Sequence, residues 1–230
     1  MWLIVFLILA FLVGSIPFSF IIGKRVKNID LRLHGSGNLG STNVFRTLGP
    51  AWGIPCLALD MGKGAAAVAL MTWLVNTWPI GDSTPFNITP DLFRIFAGVI
   101  ASLGHTFSPF VGFHGGKGVA TTGGAFAVLE PIALLITLVA FGAVFATTRI
   151  VSLGSITAAI VLPIFVFLFE IKSLETSKTI IVFTLLICGF VLFKHRANIH
   201  RLRDGTEGKI DPTQASDRPQ PTSDSDSEES

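Results

Sequence analysis

Long apolar runs separated by short polar stretches make up most of the chain. A helix that crosses a bilayer needs about 20 mainly apolar residues, because its backbone polar groups must be satisfied within the segment. Six runs approach this pattern, and a seventh is short and rich in glycine and threonine. The predicted spans are residues 2–23, 53–78, 93–113, 119–129, 131–147, 152–169 and 179–193. We therefore expect an all-α, polytopic membrane protein with seven transmembrane helices.

The composition supports lipid as the solvent for most of this chain. Charged residues make up 14% of it, against about a quarter in soluble domains. The first apolar run lacks a basic segment before it, so we expect it to be retained as a transmembrane helix. Cys56 and Cys188 lie far apart in apolar runs, which argues against a disulfide framework or a thiolate metal site. We expect no metal, no cofactor and no nucleic-acid partner.

The positions of the basic residues predict the orientation in the membrane. Lys63 lies inside a span and Arg218 lies far out in the C-terminal segment, so neither is counted. Seven spans place twelve of the remaining lysines and arginines on one side, which are Lys24, Arg25, Lys27, Arg32, Arg46, Lys117, Arg149, Lys194, Arg196, Arg201, Arg203 and Lys209. The other side holds three, Arg94, Lys172 and Lys178. The basic side is predicted to be cytoplasmic, with the N-terminus outside and the C-terminus inside.

The last part of the chain changes in character. Residues 210–230 are rich in serine, aspartate, proline and glutamate and offer almost nothing to bury. Such a composition is typical of disordered segments. We expect a membrane domain over residues 1–209 and a disordered, acidic cytoplasmic tail over residues 210–230.

The first polar stretch on the predicted cytoplasmic side runs from Gly35 to Arg46. Its glycines allow tight turns and close approach of the backbone to a ligand. Backbone N–H groups, hydroxyls and one fixed cation together favour a phosphate site. The stretch is not a P-loop, because no Gly-Lys-Ser/Thr closes it. The alternative is a polar loop at the membrane interface.

In the second polar stretch, Lys117 lies among glycines just before the short apolar run over residues 119–129. Helix N-termini attract anions, and a lysine there adds a full positive charge. The alternative is a lysine that extends its ammonium to the headgroup level. That alternative does not explain the flanking Gly112, Gly115, Gly116 and Gly118, so we favour a functional role for this segment.

The third polar stretch covers residues 194–207 and is strongly basic. Most of its charges are those of a segment bound to anionic lipid. At helical spacing, however, His195 and Asn198 share a face and are able to point into the bundle. Elsewhere, Asp60 and Lys63 form an intramembrane pair at i and i+3, which we interpret as structural. Ser152 adds a hydroxyl at the same side of the membrane, or serves only as a turn and cap.

At these residues the sequence resembles the bacterial membrane-bound acyl-phosphate:glycerol-3-phosphate acyltransferase family. The resemblance extends from the first span to about Gly208. It depends on four motifs: Gly35-Ser-Gly-Asn-x-Gly-x-Thr-Asn-x-x-Arg46, Asp60-x-x-Lys63-Gly64, Gly115-Gly-Lys-Gly-Val-Ala-Thr121 and Lys194-His-Arg-x-Asn198-Ile-x-Arg201-Leu-x-x-Gly205-Thr-Glu207. Leu39, Ser41 and His114 depart from the family's usual proline, alanine and lysine. The last departure removes a positive charge beside the site.

The resemblance implies a multi-pass protein of the bacterial inner membrane with its active site at the cytoplasmic face. Glycerol 3-phosphate would attack fatty acyl phosphate through its sn-1 hydroxyl, giving 1-acyl-glycerol 3-phosphate (lysophosphatidic acid) and phosphate. This is the first step of phospholipid synthesis. The acyl phosphate would come from a separate soluble enzyme, with which we expect a transient contact.

We assign roles to the motif residues on this basis. Lys117, His195 and Asn198 are predicted to be catalytic. Lys117 lies between the two phosphates, and His195 donates a hydrogen bond to a phosphate or carbonyl oxygen. The predicted substrate-binding residues are Ser36, Gly37, Asn38, Thr42, Asn43, Arg46, Gly115, Gly116, Gly118, Thr121, Ser152 and Glu207. His195 as general base is an alternative, but we favour a substrate phosphate as the proton acceptor.

Two other classes of function remain as alternatives. An anion transporter usually shows paired repeats and holds its substrate near the midplane, and neither feature is visible in the sequence. A membrane scaffold that recruits partners through its basic segment does not need Lys117 or its glycines.

Overall fold

The computed structural model describes residues 2–78, 89–171 and 177–210, and within these ranges it is helical without β-strands. The helices are α1 (Trp2–Ser15), α2 (Phe18–Lys27), α3 (Ser41–Leu48), α4 (Pro50–Thr77), α5 (Pro90–Thr106), α6 (Val119–Leu129), α7 (Pro131–Thr148), α8 (Val151–Glu170), α9 (Ser177–Lys194) and α10 (Arg196–Arg203). A 3₁₀ turn covers Pro109–Val111. The all-α prediction is confirmed for this part of the chain. The predicted tail from residue 211 onward lies outside the described residues.

Four segments of the described chain are long and apolar enough to cross a membrane. They are the combined α1–α2 segment, α4, α7 and α8, and α9 with α10 makes a fifth if this pair, bent by 56°, is one span. Helix α5 has 17 residues and the apolar helix α6 has 11, so both are shorter than the length expected of a simple span. Seven crossings therefore remain a prediction.

Pro17 separates α1 from α2 inside the first apolar segment. A proline in a membrane helix frees backbone carbonyl groups, which neighbouring groups must then satisfy. Here the Ser108 hydroxyl donates to the Ser15 carbonyl oxygen at 2.6 Å. The Lys63 ammonium donates to the Ile16 carbonyl oxygen at 3.0 Å. The break in the first segment is thus stabilised by residues from two other parts of the chain.

Glycines permit the closest helix contacts in the bundle. Helix α4 packs against α6, and a Cβ atom added at Gly64 would overlap the Thr121 carbonyl oxygen. A Cβ atom added at Gly124 would overlap the Met61 carbonyl oxygen at the same crossing. Small residues at helix crossings are typical of membrane proteins, where close backbone approach supplies much of the packing energy.

Apolar side chains fill the bundle and also cover its outside. One apolar core lies between α5, α6, α7, α8 and α9, and a second apolar core lies between α1, α4 and α5. Large apolar side chains on the outer faces remain exposed, among them Ile132, Leu135, Val139, Leu185 and Leu186. A surface of this kind suits contact with lipid tails rather than water. The polar stretches gather instead at one end of the bundle, called the polar end below, where α2, α5, α7 and α9 finish and α4, α6 and α8 begin.

We predict that Gly64→Ala destabilises the protein because the α4–α6 crossing has no room for a methyl group. Overpacking of this kind costs about 1–3 kcal/mol. Gly62→Ala, on the same helix, is the matched control, because a Cβ atom there meets nothing within 4 Å. Thermal unfolding in detergent should show a lower midpoint for Gly64→Ala and an unchanged one for Gly62→Ala. Equal midpoints for the two variants would contradict this account of the crossing.

Candidate active site

The second and third polar stretches meet at the polar end. Lys117, just before α6, donates a hydrogen bond from its ammonium to the Asn198 side-chain oxygen on α10. The Asn198 amide nitrogen in turn donates to the Glu207 carboxylate at 2.7 Å. Residues far apart in the sequence are therefore joined in one hydrogen-bonded chain, and two of the three predicted catalytic residues are in direct contact.

The Glu207 carboxylate accepts hydrogen bonds from three side chains on two helices. Besides Asn198, the Ser152 hydroxyl at the start of α8 donates at 2.6 Å, and the Arg201 Nε atom donates at 2.6 Å. Burial favours a higher pKa for Glu207, but the hydrogen bonds from Ser152, Asn198 and Arg201 outweigh it and hold the pKa below its usual value. Glu207 is therefore an anion at neutral pH and lies among cations.

The chain returns to the bundle after α10. Gly205 has a φ of 68°, a left-handed conformation that glycine adopts without strain. The Arg46 guanidinium on α3 donates to the Gly208 carbonyl oxygen at 3.4 Å. The Ile210 amide donates to the Arg149 carbonyl oxygen at 2.8 Å, and Ile210 is buried. Residues 204–210 thus connect α10 to α3 and to the start of α8, although residue 210 falls in the predicted tail.

Positive charge predominates around Lys117. Burial is the main cause that lowers its pKa to about 8. The charges of Arg201, Lys194 and Arg46 act in the same direction, and that of Glu207 acts in the opposite one. A cluster of several cations with one carboxylate favours the binding of an anion, since a bound phosphate would offset the repulsion between them. This arrangement agrees with the proposal that Lys117 and Arg46 are phosphate ligands.

His195 lies at the junction of α9 and α10 and is buried. Its Nδ1 atom is 2.8 Å from the Val191 carbonyl oxygen, which only accepts, so Nδ1 carries the hydrogen. Burial and the nearby Lys117 charge lower the pKa of His195 to about 4. A neutral ring with its hydrogen on Nδ1 offers only a lone pair at Nε2. The geometry therefore differs from the expectation that His195 donates to the substrate.

In the first polar stretch, Asn43 is almost fully buried and its amide is used within the loop. It accepts from the Ser36 amide at 2.9 Å and donates to the Leu31 and His34 carbonyl oxygens, both at 3.0 Å. Ser36 and Gly37 are exposed, while Asn38, Thr42 and Arg46 are half-buried. Thr42 and Arg46 are four residues apart on α3 and so share a face. Of the predicted ligands in this stretch, Arg46 is the one with a described hydrogen bond to residues 204–210.

The glycines before α6 serve close packing. Gly115 donates its amide hydrogen to the Thr106 carbonyl oxygen at 3.0 Å, and Gly116 donates to the His105 carbonyl oxygen at 3.1 Å. Two of the predicted substrate-binding glycines therefore use their amides within the protein. Gly118 has a φ of 81° and precedes α6. The first amides of a helix have no acceptor within it, so those after Gly118 are placed to face an anion near Lys117.

Thr121 lies in the first turn of α6 and is fully buried. Its hydroxyl oxygen has no hydrogen-bond partner among the described residues. The sequence predicts that Thr121 binds substrate, and this stays a prediction, because the side chain is fully buried in the described structure.

The predicted structural pair is present, and it has a third member. Asp60 Oδ1 and Lys63 Nζ are 2.8 Å apart, and both side chains are buried. His105, from the last turn of α5, places its Nδ1 atom 2.8 Å from Lys63 Nζ. No sequence pattern relates residue 105 to residues 60–63, so sequence reasoning missed it.

Arg201 is the second residue that was not assigned to the site, although it belongs to a motif quoted above. Its ion pair with Glu207 closes the turn at Gly205. The sequence did carry a signal for this ion pair, because a basic and an acidic residue lie on either side of a glycine at the end of a helix. Within the described ranges, no group of three or more His, Cys, Asp or Glu side chains converges as a metal site. The side chains that the structure describes at the polar end are cations, amides and hydroxyls around the Glu207 carboxylate.

Known proteins with similar sequences and folds give an independent line of evidence. The family model for glycerol-3-phosphate acyltransferase matches residues 4–205. The chain is 43% identical over 205 residues to the glycerol-3-phosphate acyltransferase of Bacillus subtilis, with 89% of this chain and 95% of the relative covered. It is 42% identical over 204 residues to that of Exiguobacterium sibiricum, with 89% and 91% covered.

The fold also matches a solved structure. The crystal structure of PlsY, an integral membrane glycerol 3-phosphate acyltransferase in its glycerol 3-phosphate form, superimposes with a TM-score of 0.77 at 33% identity. The match covers 93% of this chain and 98% of that one. A second structure of the same protein, in a lysophosphatidic acid form, gives a TM-score of 0.75 at 32% identity, with 94% of this chain and 98% of that one covered. This chain is an integral membrane protein and belongs to the glycerol-3-phosphate acyltransferase family.

Proposed function

We propose that the protein transfers a fatty acyl group from acyl phosphate to the sn-1 hydroxyl of glycerol 3-phosphate at the polar end of the bundle. The observation that carries this proposal is the convergence of Lys117, Arg46 and Arg201 around Asn198 and Glu207. Both substrates carry phosphate, so a site with several cations and few anions suits them. The products are 1-acyl-glycerol 3-phosphate and inorganic phosphate.

The proposed topology has seven crossings, with the polar end in the cytoplasm of a bacterium and the bundle in its inner membrane. The five longer spans, α5 and α6 together give this number. Helix α6 packs against α4, α5 and α7, so its 11 residues are surrounded mainly by protein. A short helix is tolerated at membrane depth when protein rather than lipid surrounds it.

The cations divide the work of binding the two phosphates. Arg46 grips the phosphate of glycerol 3-phosphate, because a guanidinium binds phosphate with two parallel hydrogen bonds. Ser36 contributes a hydroxyl beside it, while the Ser152 hydroxyl donates to Glu207 and so helps to place that carboxylate near the site. Lys117 lies between the two phosphates, offsets their repulsion and stabilises the phosphate that leaves. Asn43 shapes the loop and does not contact the ligand, since its amide is already used.

The proton of the attacking hydroxyl goes to a substrate phosphate rather than to His195. A phosphate monoester has a second pKa of about 6, whereas the pKa of His195 is held at about 4. The phosphate is therefore the stronger base. His195 accepts a hydrogen bond at Nε2 from the neighbouring hydroxyl of glycerol 3-phosphate and so orients the molecule, which leaves the hydrogen of the sn-1 hydroxyl to the phosphate. The sn-1 oxygen attacks the acyl carbonyl carbon, which breaks its bond to the phosphate oxygen as the ester forms.

The function is tested with purified protein, palmitoyl phosphate and labelled glycerol 3-phosphate. We expect labelled lysophosphatidic acid from the parent protein and a loss of at least a hundredfold in Arg46→Ala and Lys117→Ala. Gly62→Ala, which touches nothing at the polar end, is the control variant and should remain fully active. A folded parent protein that makes no product from palmitoyl phosphate or palmitoyl-CoA would contradict the acyltransferase function.

The pH dependence of the rate should report the charge on Lys117. Because its pKa is lowered to about 8, the ammonium is charged below pH 8 and neutral above it. We expect kcat/KM, which reports the free enzyme, to fall as the pH rises through about 8. Lys117→Arg stays protonated over this range and should lose the alkaline fall, whatever its absolute rate. An unchanged alkaline fall in Lys117→Arg would assign it to another group.

Substitution with glutamine distinguishes an orienting role of His195 from a role as general base. The Gln side chain keeps an acceptor near the position of Nε2 but is not a base. We expect His195→Gln to retain kcat within about tenfold of the parent, and His195→Leu, which has no acceptor, to lose more. A fall in His195→Gln to below a hundredth of the parent rate would support general-base catalysis.

A further inference from the structure

A second group of charged side chains lies inside the bundle, away from the phosphate-binding cations. It consists of Asp60 and Lys63 on α4 and His105 in the last turn of α5, and we call it the buried cluster. Asp60 is 1% exposed, Lys63 4% and His105 7%. Charges in such surroundings are costly unless they are matched, and they usually have a specific role. The mechanism above uses none of the three.

The Lys63 ammonium has three close polar neighbours. It forms an ion pair with Asp60 Oδ1 at 2.8 Å, and it makes hydrogen bonds to His105 Nδ1 at 2.8 Å and to the Ile16 carbonyl oxygen at 3.0 Å. An ammonium that donates to Nδ1 requires the histidine hydrogen to be on Nε2. Lys63 therefore fixes both the tautomer and the orientation of the His105 ring, while it ties α4 to α5 and to the break between α1 and α2.

His105 in turn supports the segment that carries Lys117. Its carbonyl oxygen accepts from the Gly116 amide at 3.1 Å. Its ring lies so close to Gly116 that an added Cβ atom would overlap His105 Nε2. The neighbouring Thr106 carbonyl oxygen accepts from the Gly115 amide at 3.0 Å. Residues 115 and 116 thus lie directly on the end of α5, and Lys117 follows them without any spacer.

We propose that the buried cluster positions the Lys117 ammonium for catalysis. Asp60 and Lys63 hold the His105 ring, the ring and backbone of His105 hold Gly116, and Gly116 sets the point from which Lys117 reaches Asn198. Asp60, Lys63 and His105 are positioning residues, because they act through Lys117 and not on the substrate. The proposal rests on the proposed role of Lys117.

A cluster that only stabilises the fold makes a different prediction from one that positions Lys117. Glycerol 3-phosphate is bound chiefly by Arg46, which is on α3 and not on the helices that carry the buried cluster, so a shift of Lys117 should lower kcat more than it raises KM. A displacement of a catalytic group by about 1 Å costs up to a hundredfold in rate. A movement of Lys117 relative to Arg201, Lys194, Arg46 and Glu207 should also change the pH at which kcat/KM falls.

The decisive variant is His105→Asn. The Asn side-chain oxygen takes the place of Nδ1 and still accepts from Lys63, whereas the part of the ring that touches Gly116 is removed. We expect an unfolding midpoint close to that of the parent, a kcat lower by about 10- to 100-fold, a KM for glycerol 3-phosphate within about threefold, and a shifted alkaline limb. His200→Asn, an exposed histidine on α10, is the matched control and should behave as the parent.

A second set of variants removes the charges in a balanced way. Asp60→Asn or Lys63→Met alone leaves one buried charge without its partner and should lower the unfolding midpoint strongly. Asp60→Asn combined with Lys63→Met removes both charges, so it should regain much of the lost stability while kcat stays low. Recovery of kcat in step with stability in the double variant would overturn the proposal.

The experiments test the proposed function and the positioning role of the buried cluster separately. Lysophosphatidic acid formation by the parent and by His200→Asn establishes the reaction, whatever the buried cluster does. Parental kcat and an unshifted pH profile in a folded His105→Asn variant would overturn the positioning role and leave the reaction intact. Absence of product from the folded parent would instead remove the reaction itself.

Discussion

Several cations lie close together at the polar end. Their mutual repulsion, before any phosphate binds, constrains the structure of this end of the bundle. Lys117, Arg46 and Arg201 come from three parts of the chain, and the burial of Lys117 weakens the screening of its charge by solvent. Glu207 offsets part of this repulsion, because its carboxylate accepts hydrogen bonds from Arg201 and Asn198. The turn of the chain at Gly205 brings this carboxylate back to the bundle.

The bundle separates two kinds of polar centre. The buried cluster is balanced, since the charge of Lys63 meets that of Asp60 and the ammonium also makes hydrogen bonds to His105 and Ile16. The polar end is left with excess positive charge, which favours the binding of an anion. A balanced centre favours rigidity and an unbalanced one favours binding. The contact of His105 with Gly116 joins the two, so the rigid centre lies directly beneath the segment that has to be placed accurately.

The sequence allowed the helical class, the main apolar segments and the membership of the family to be predicted, because these depend on hydrophobic periodicity and on motifs. It also predicted the pairing of Asp60 with Lys63, since i and i+3 residues meet on any helix. It did not predict His105 as their partner, because that contact depends on how α5 crosses α4. The donor role expected of His195 was also inconsistent with the structure, since the hydrogen bond from Nδ1 to the Val191 carbonyl fixes the tautomer, and this contact is visible only in three dimensions.

Burial lowers the pKa of both Lys117 and His195, and both shifts affect how the site handles a phosphate. For Lys117, a pKa of about 8 keeps the charge at neutral pH while the surroundings remain dry enough to strengthen its attraction to phosphate. For His195, a pKa of about 4 keeps the ring neutral beside that ammonium, so that it adds no further repulsion. A substrate phosphate entering between them supplies both the missing negative charge and the stronger base. In the proposed mechanism, the same desolvation that makes His195 a poor base makes Lys117 an effective phosphate ligand, so that no separate protein base is required.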